Sequence, residues 1–201
     1  MVPTVPLSRH PLDSSDPSDL VRRWYENELG WATVPGSPVR LATGLRFDVL
    51  DVPAEAGFAA LRHLGPASPV ALYGAGTRMR LRLLVAAGSA EELPGLLDWL
   101  EWGTLALDLT AIGADGSIGA PLPPGVPEGP LSAVEGAGPQ GAAVWLRPPE
   151  PGCEVESSLP TLSAVGGDGG APDLVRLVDT MATQCHRVRL RRACAQPLAY
   201  S

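Results

Sequence analysis

Two kinds of periodicity run along the chain. Between Arg78 and Leu83 polar and apolar residues alternate, with Arg78, Arg80 and Arg82 against Met79, Leu81 and Leu83, which predicts a strand within Arg78–Ala86 with three guanidinium groups on one face. Near the C-terminus Leu174, Leu177, Val178, Met181, Cys185 and Val188 recur at helical spacing, which predicts a long helix from Asp173. The β-branched and aromatic content of Leu45–Val52 predicts another strand. A helix is expected to follow Pro53 through Phe58, Leu61 and Leu64, with Gly65 as its cap. Val70–Tyr73, Ala106–Ile112 and Ala142–Leu146 read as further strands.

Two more helices carry start signals. Asp16, Pro17 and Asp19 open one whose apolar face is Leu20, Trp24 and Leu29, with Gly30 stopping it. Ser89-Ala90-Glu91-Glu92 has the form of a capping box for a helix carrying Leu93, Leu96, Leu97 and Leu100. Strands mixed with helices and no internal repeat predict an α+β fold, a mixed or antiparallel sheet with flanking helices. The expected organisation is a flexible arm over 1–15, a single domain over 16–150 and a Pro/Gly-rich linker over 151–172. Residues 173–201 are expected to form a C-terminal helix with an Arg-rich tail, packed on the domain.

With 201 residues the chain suits one core. No apolar run approaches the roughly 18 residues that span a bilayer, so no membrane association is expected. The first ten residues lack the continuous hydrophobic stretch of a secretory signal. Three cysteines, Cys153, Cys185 and Cys194, are too few for a disulfide scaffold, which favours a reducing, cytoplasmic setting. All 15 basic residues are arginine. Together with 23 Gly and 22 Pro this matches GC-rich coding, so arginine abundance alone carries little functional weight. The net charge of −7 argues against non-specific coating of nucleic acid unless a local basic patch compensates.

The candidate chemistry lies in acids and arginines. Asp48 and Asp51 are three apart, so on a regular strand they project to opposite faces, and both reach one metal only if the strand is bulged. The plain alternatives are a solvated Asp48 and an Asp51 that caps the following helix. The Arg78, Arg80 and Arg82 face has the form of a phosphate-binding ridge; as an ordinary strand face it would pair across to Asp48 and Asp108. Arg187, Arg189, Arg191 and Arg192 suit the end of a helix through its dipole, or a protein or nucleic-acid partner reached through the C-terminal helix. Cys185, His186 and Cys194 do not complete a zinc shell.

The segment Thr43-Gly44-Leu45-Arg46-Phe47-Asp48-Val49-Leu50-Asp51-Val52-Pro53-Ala54-Glu55-Ala56-Gly57 resembles the first motif of the bifunctional DNA primase/polymerase N-terminal (prim-pol) domain family, of the archaeo-eukaryotic primase superfamily. Upstream, Leu29-Gly30-Trp31 with Val34-Pro35 is similar to the family's opening text. Leu107-Asp108-Leu109 followed by Gly116–Pro124 is similar to its third motif, and Gly141–Leu146 to its closing strand. The resemblance spans about residues 25–147. It implies a primase-polymerase-like domain whose RRM-like sheet presents acidic ligands for Mg or Mn to an incoming nucleotide, with Asp51 and Asp108 at the catalytic, metal-binding positions.

The chain departs from that pattern in two places. The second acid of the first motif falls at Pro53, and the histidine of the second motif is missing from Thr77–Leu83. Asp51 and Asp108 together could hold one cation weakly, since Mg²⁺ takes one or two carboxylates plus substrate phosphates. A two-ion site would need more oxygens at one point. The expectation is a divergent member that engages nucleotide or nucleic acid with a degenerate nucleotidyl-transfer site; the alternative is a non-catalytic interaction or regulatory module on the same fold.

Overall fold

The computed structural model describes residues 17–64, 68–125, 143–152, 155–162 and 173–195. The expected arm, Gly65, Cys153 and most of the linker lie outside them, and the helix expected to run through Leu64 ends earlier, capped at Arg62.

Helix α1 (Pro17–Arg23) continues as a π turn, Trp24–Glu28, and ends at Gly30 with φ +66°. The short strands β1 (Thr33–Val34) and β2 (Arg40–Ala42) follow, then β3 (Phe47–Pro53) and α2 (Ala54–Leu61). After β4 (Val70–Tyr73) a 3-10 turn, Gly76–Arg78, leads into β5 (Arg80–Ala86) and α3 (Ser89–Trp99). Then come β6 (Thr110–Ile112), β7 (Ser117–Gly119), β8 (Val144–Arg147), α4 (Val155–Ser158) and α5 (Leu174–Cys194).

The architecture is α+β with two antiparallel sheets. One has the order β6-β3-β5-β4-β8 and the other β1-β2-β7. Within the larger sheet, β3-α2-β4 and β5-α3-β6 are interleaved β-α-β units, each with a strand of the other unit inserted antiparallel between its own two strands. Side-chain alternation divides the sheet into two working faces. On one, Leu50, Val52, Leu81, Leu83 and Val85 pack against α2, α3 and α5. On the other, Phe47, Val49, Tyr73 and Leu84 pack with Tyr25, Trp31, Leu41 and Ile118 of the N-terminal segment and small sheet.

Three helices differ in detail from expectation. In α1 the buried face is Val21 with Tyr25 of the following turn, and Leu20 is exposed, because Tyr25 is the anchor. Its hydroxyl donates to the Pro121 carbonyl at 2.7 Å and accepts from Trp145 Nε1 at 2.9 Å. In α2 the buried residues are Ala54, Ala56, Gly57, Ala59 and Ala60, with Phe58 turned outward. A Cβ on Gly57 would stand 2.8 Å from Leu81 Cβ, so only a small-residue face lets this helix approach β5 while α5 packs against it. The expected capping box of α3 does not form. Gly88, at φ +92°, precedes the helix without a side-chain cap, and the Ala90 N–H is taken by Asp48 Oδ2 at 2.9 Å.

Helix α5 begins where expected. Asp173 Oδ1 accepts from the Val175 N–H at 2.8 Å, and the predicted stripe from Leu174 to Val188 is buried in the helix-side core. No helix among the described residues is long and apolar enough to cross a membrane.

Candidate functional site

The candidate site lies on the sheet face opposite α2 and α3, on the neighbouring strands β3 and β5. Antiparallel register places Asp51 of β3 opposite Arg82 of β5, and Pro53 opposite Arg80. Asp51 is therefore flanked by two arginines on its own face. Arg82 Nε donates to Asp51 Oδ2 at 2.6 Å, and Arg80 Nε donates to Oδ1 at 2.5 Å. Arg80 reaches further: Nη1 donates to Asp108 Oδ1 at 2.6 Å and Nη2 to the Asp51 carbonyl at 3.2 Å. A single guanidinium thus joins the two acids that the sequence singled out.

The surroundings sharpen this arrangement. Arg82 lies over the Tyr73 ring, 4.0 Å from its centroid. The Tyr73 hydroxyl donates to the Gly119 carbonyl of the small sheet at 2.7 Å. Burial raises the Tyr73 pKa, against the lowering effect of Arg82 and Arg40, so the phenol stays neutral. Arg40 of β2 donates from Nε to Ser117 Oγ at 3.0 Å and from Nη2 to the Ser117 carbonyl at 2.9 Å. Its partners among the described residues are neutral, so its positive charge is unmatched there. Burial works against the Arg80 charge, but Asp108 and Asp51 outweigh it and hold that guanidinium above the usual arginine value.

Asp108 does not lie on a strand. The expected strand from Ala106 begins only at Thr110, and Asp108 sits exposed in the bend before it. That bend is pinned from α5 instead. Arg189 Nη1 donates to the Ala106 carbonyl at 2.8 Å, Cys185 Sγ lies 3.7 Å from the Asp108 carbonyl, and Trp102 Nε1 donates to Asp179 Oδ1 at 2.9 Å. Burial, with help from Asp108, pushes the Cys185 thiol up to about 12, consistent with a packed core residue.

Two candidates fall outside the cluster. Asp48 points to the helix side and is fully buried, so it is not a solvated residue. Seven consecutive residue pairs join β3 to β5 without a bulge, which leaves no route for Asp48 to join Asp51. Arg78 is not on the strand. It ends the 3-10 turn, closed by the Met79 N–H on the Gly76 carbonyl, and points to solvent apart from Arg80 and Arg82. Nor does Asp51 cap α2, whose preceding residue is Pro53 with no side-chain cap.

The residues do not fit a pair of divalent cations. Both Asp51 oxygens are committed to guanidinium groups, and Pro53 supplies no ligand. No three His, Cys, Asp or Glu converge among the described residues. Cys185 is buried and Cys194 exposed, both as free thiols. Three of the tail arginines engage this chain's own groups: besides Arg189, Arg191 pairs with Glu55 at 2.9 Å, and Arg192 stands 3.9 Å from the same carboxylate. Beside them, Ala54, Glu55, Phe58, Thr77, Met79 and Arg192 line an open pocket of about 510 Å³.

Reading the strand text alone missed Tyr73, Arg40 and Ser117. Tyr73 is two residues beyond Ala71, the partner of Arg82, but Arg40 and Ser117 come from the small sheet, whose docking no local pattern announces. No family model, curated protein or solved structure matches the chain.

Proposed function

We propose that this chain is a divergent primase/polymerase-like domain that binds the phosphate of a nucleotide or nucleic-acid strand and has lost metal-dependent nucleotidyl transfer. The observation that carries the reading is the Arg80 bridge. It joins Asp51 and Asp108, the acids of two separate sequence segments that resemble prim-pol motifs. The topology gives further support. The run β3-α2-β4-β5-α3-β6, with β6-β3-β5-β4 adjacent in the five-stranded sheet, has the β-α-β-β-α-β order of RRM modules, which bind nucleic acid on their sheet, although here the small sheet covers part of that face. Asp51, Arg80 and Arg82 lie on that sheet, on the neighbouring strands β3 and β5.

The ligand is recognised through arginine. Asp51 engages only the Nε of Arg82, so the two terminal nitrogens of that planar group are not tied to a carboxylate. They suit a phosphate oxygen pair, with Arg40 adding charge from the facing sheet. Transfer chemistry is lost because an in-line displacement needs cations held by carboxylates, and here the carboxylates hold guanidinium groups.

The test is equilibrium binding of a labelled nucleoside triphosphate and of a short single-stranded oligonucleotide, beside a primer-extension assay. Binding weakened by Arg82→Ala, without extension, supports the reading. Extension abolished by Asp51→Ala and Asp108→Ala would overturn the loss of catalysis. Absence of binding to either ligand would favour the second reading, a protein-interaction module. That reading draws on Leu190, half exposed among the arginines at the end of α5.

A further inference from the structure

We propose that Arg80 is the resident cation of this site, standing between Asp51 and Asp108 in place of a divalent ion, so that the phosphate ligand is bound without metal. The proposal deepens the reading above. It rests on that reading only for the identity of the anion, since the competition between guanidinium and metal needs no nucleotide.

Three features make the substitution a built one. Arg80 uses Nε, Nη1 and Nη2 together, on Asp51 Oδ1, Asp108 Oδ1 and the Asp51 carbonyl. Its position follows from the β3–β5 register, so it is fixed by the sheet ladder rather than by a movable loop. Arg82 takes the remaining Asp51 oxygen. Two carboxylates are thereby balanced by two guanidinium groups that do not lose their protons at any ordinary pH.

A divalent ion entering this cluster would have to displace a guanidinium from each oxygen it took. It would then sit beside two fixed positive charges, with Arg40 a third cation on the facing sheet. Mg²⁺ also gives up its water reluctantly. Removal of the Arg80 charge reverses the balance. Asp51 keeps Arg82, Asp108 loses its partner, and the pair acquires one net negative charge with oxygens turned toward a common space. That arrangement matches what a single weakly held cation requires.

The proposal is tested by titrating Mn²⁺ against wild type and Arg80→Met, without nucleotide, and reading free Mn²⁺ by electron paramagnetic resonance. Wild type is expected to leave Mn²⁺ free through the millimolar range. Arg80→Met gains saturable binding, which Arg80→Met/Asp108→Asn loses again. At a tenfold excess of Mn²⁺ over its Kd the single variant's Tm rises by roughly 3–6 °C, and that of wild type does not. Stoichiometric Mn²⁺ binding by wild type, or a folded Arg80→Met with no gain, overturns the proposal. If Arg80→Met does not fold, wild type decides through its triphosphate affinity in EDTA and in Mn²⁺. Equal affinities sustain the proposal, and strict dependence on Mn²⁺ ends it. Absence of triphosphate binding in both conditions overturns the functional reading, while the Mn²⁺ titration of wild type still judges the resident cation.

Discussion

Asp48 and Asp51 stand three residues apart on β3 and serve opposite faces of the sheet. Asp51 faces Arg80 and Arg82, whereas Asp48 reaches the first turn of α3 and accepts the Ala90 N–H. One acid is thus matched by cations and the other by a helix N-terminus, whose dipole favours negative charge.

The matching at Asp48 is incomplete. Its Oδ1 is buried without a hydrogen bond, and burial raises its pKa, against the lowering effect of the backbone N–H groups of Ala90, Gly88 and Gly44. A carboxyl with a raised folded-state pKa opposes folding when ionised, and that opposition fades as pH falls through the folded pKa toward the unfolded value. Asp48→Asn keeps an oxygen for Ala90 and removes the charge. Its Tm is expected to equal or exceed that of wild type at pH 7, the difference shrinking on acidification. Thermal melts across the acid range check this; a variant markedly less stable at pH 7 would contradict it.

Asp51 and Asp108 share Arg80 but differ in exposure, and their substitutions should separate accordingly. The Asp51 carboxylate is buried and paired twice. Asp51→Asn weakens both pairs in a nearly dry setting and is expected to cost about 2–3 kcal/mol. Asp108 is exposed, so Asp108→Asn is expected to cost under about 1 kcal/mol. Urea unfolding midpoints measure the contrast, and equal losses would refute it.

Helix α5 belongs to the domain rather than to an appendage. Leu177 and Met181 are buried with Leu81 and Leu83 in one core. Met181→Ala should destabilise by about 2–5 kcal/mol, and a chain ending at residue 172 should fail to give a cooperative melt. A sharp transition from that truncated chain would show that the sheet folds alone.

The two described thiols should differ in reactivity. Cys194 is exposed, while Cys185 is buried with its thiol pushed up to about 12. In a Cys153→Ser background a thiol reagent at pH 8 is expected to label Cys194 in the native protein and Cys185 only after unfolding. Equal labelling rates would place α5 less firmly in the core.

How far the sequence reaches is clear from individual elements. Strand β5 and helix α5 are legible because period 2 and helical spacing record burial directly, and β3, buried at every residue, because its β-branched and aromatic content marks a strand without alternation. The opposite orientations of Asp48 and Asp51 follow from strand alternation alone. Arg78 falls outside the strand because Gly74 and Gly76, both at positive φ, build a turn that interrupts the alternation before Arg80. The α3 start departs from its local pattern because a distant carboxylate, Asp48, takes the Ala90 N–H where a Ser89 cap is expected. The buried face of α2 hides in the sequence, since small residues mark close approach, while Phe58 has the stronger apolar signal. The Arg80 bridge depends on strand register and on α5 holding the Asp108 bend, two long-range facts that local pattern does not encode.

The most direct test of the account is the affinity of the intact chain for a labelled nucleoside triphosphate, measured by fluorescence anisotropy in EDTA and again in excess Mn²⁺. The account predicts the same saturable binding in both conditions, weakened by Arg82→Ala. Binding that appears only with Mn²⁺, or survives Arg82→Ala unchanged, would contradict it.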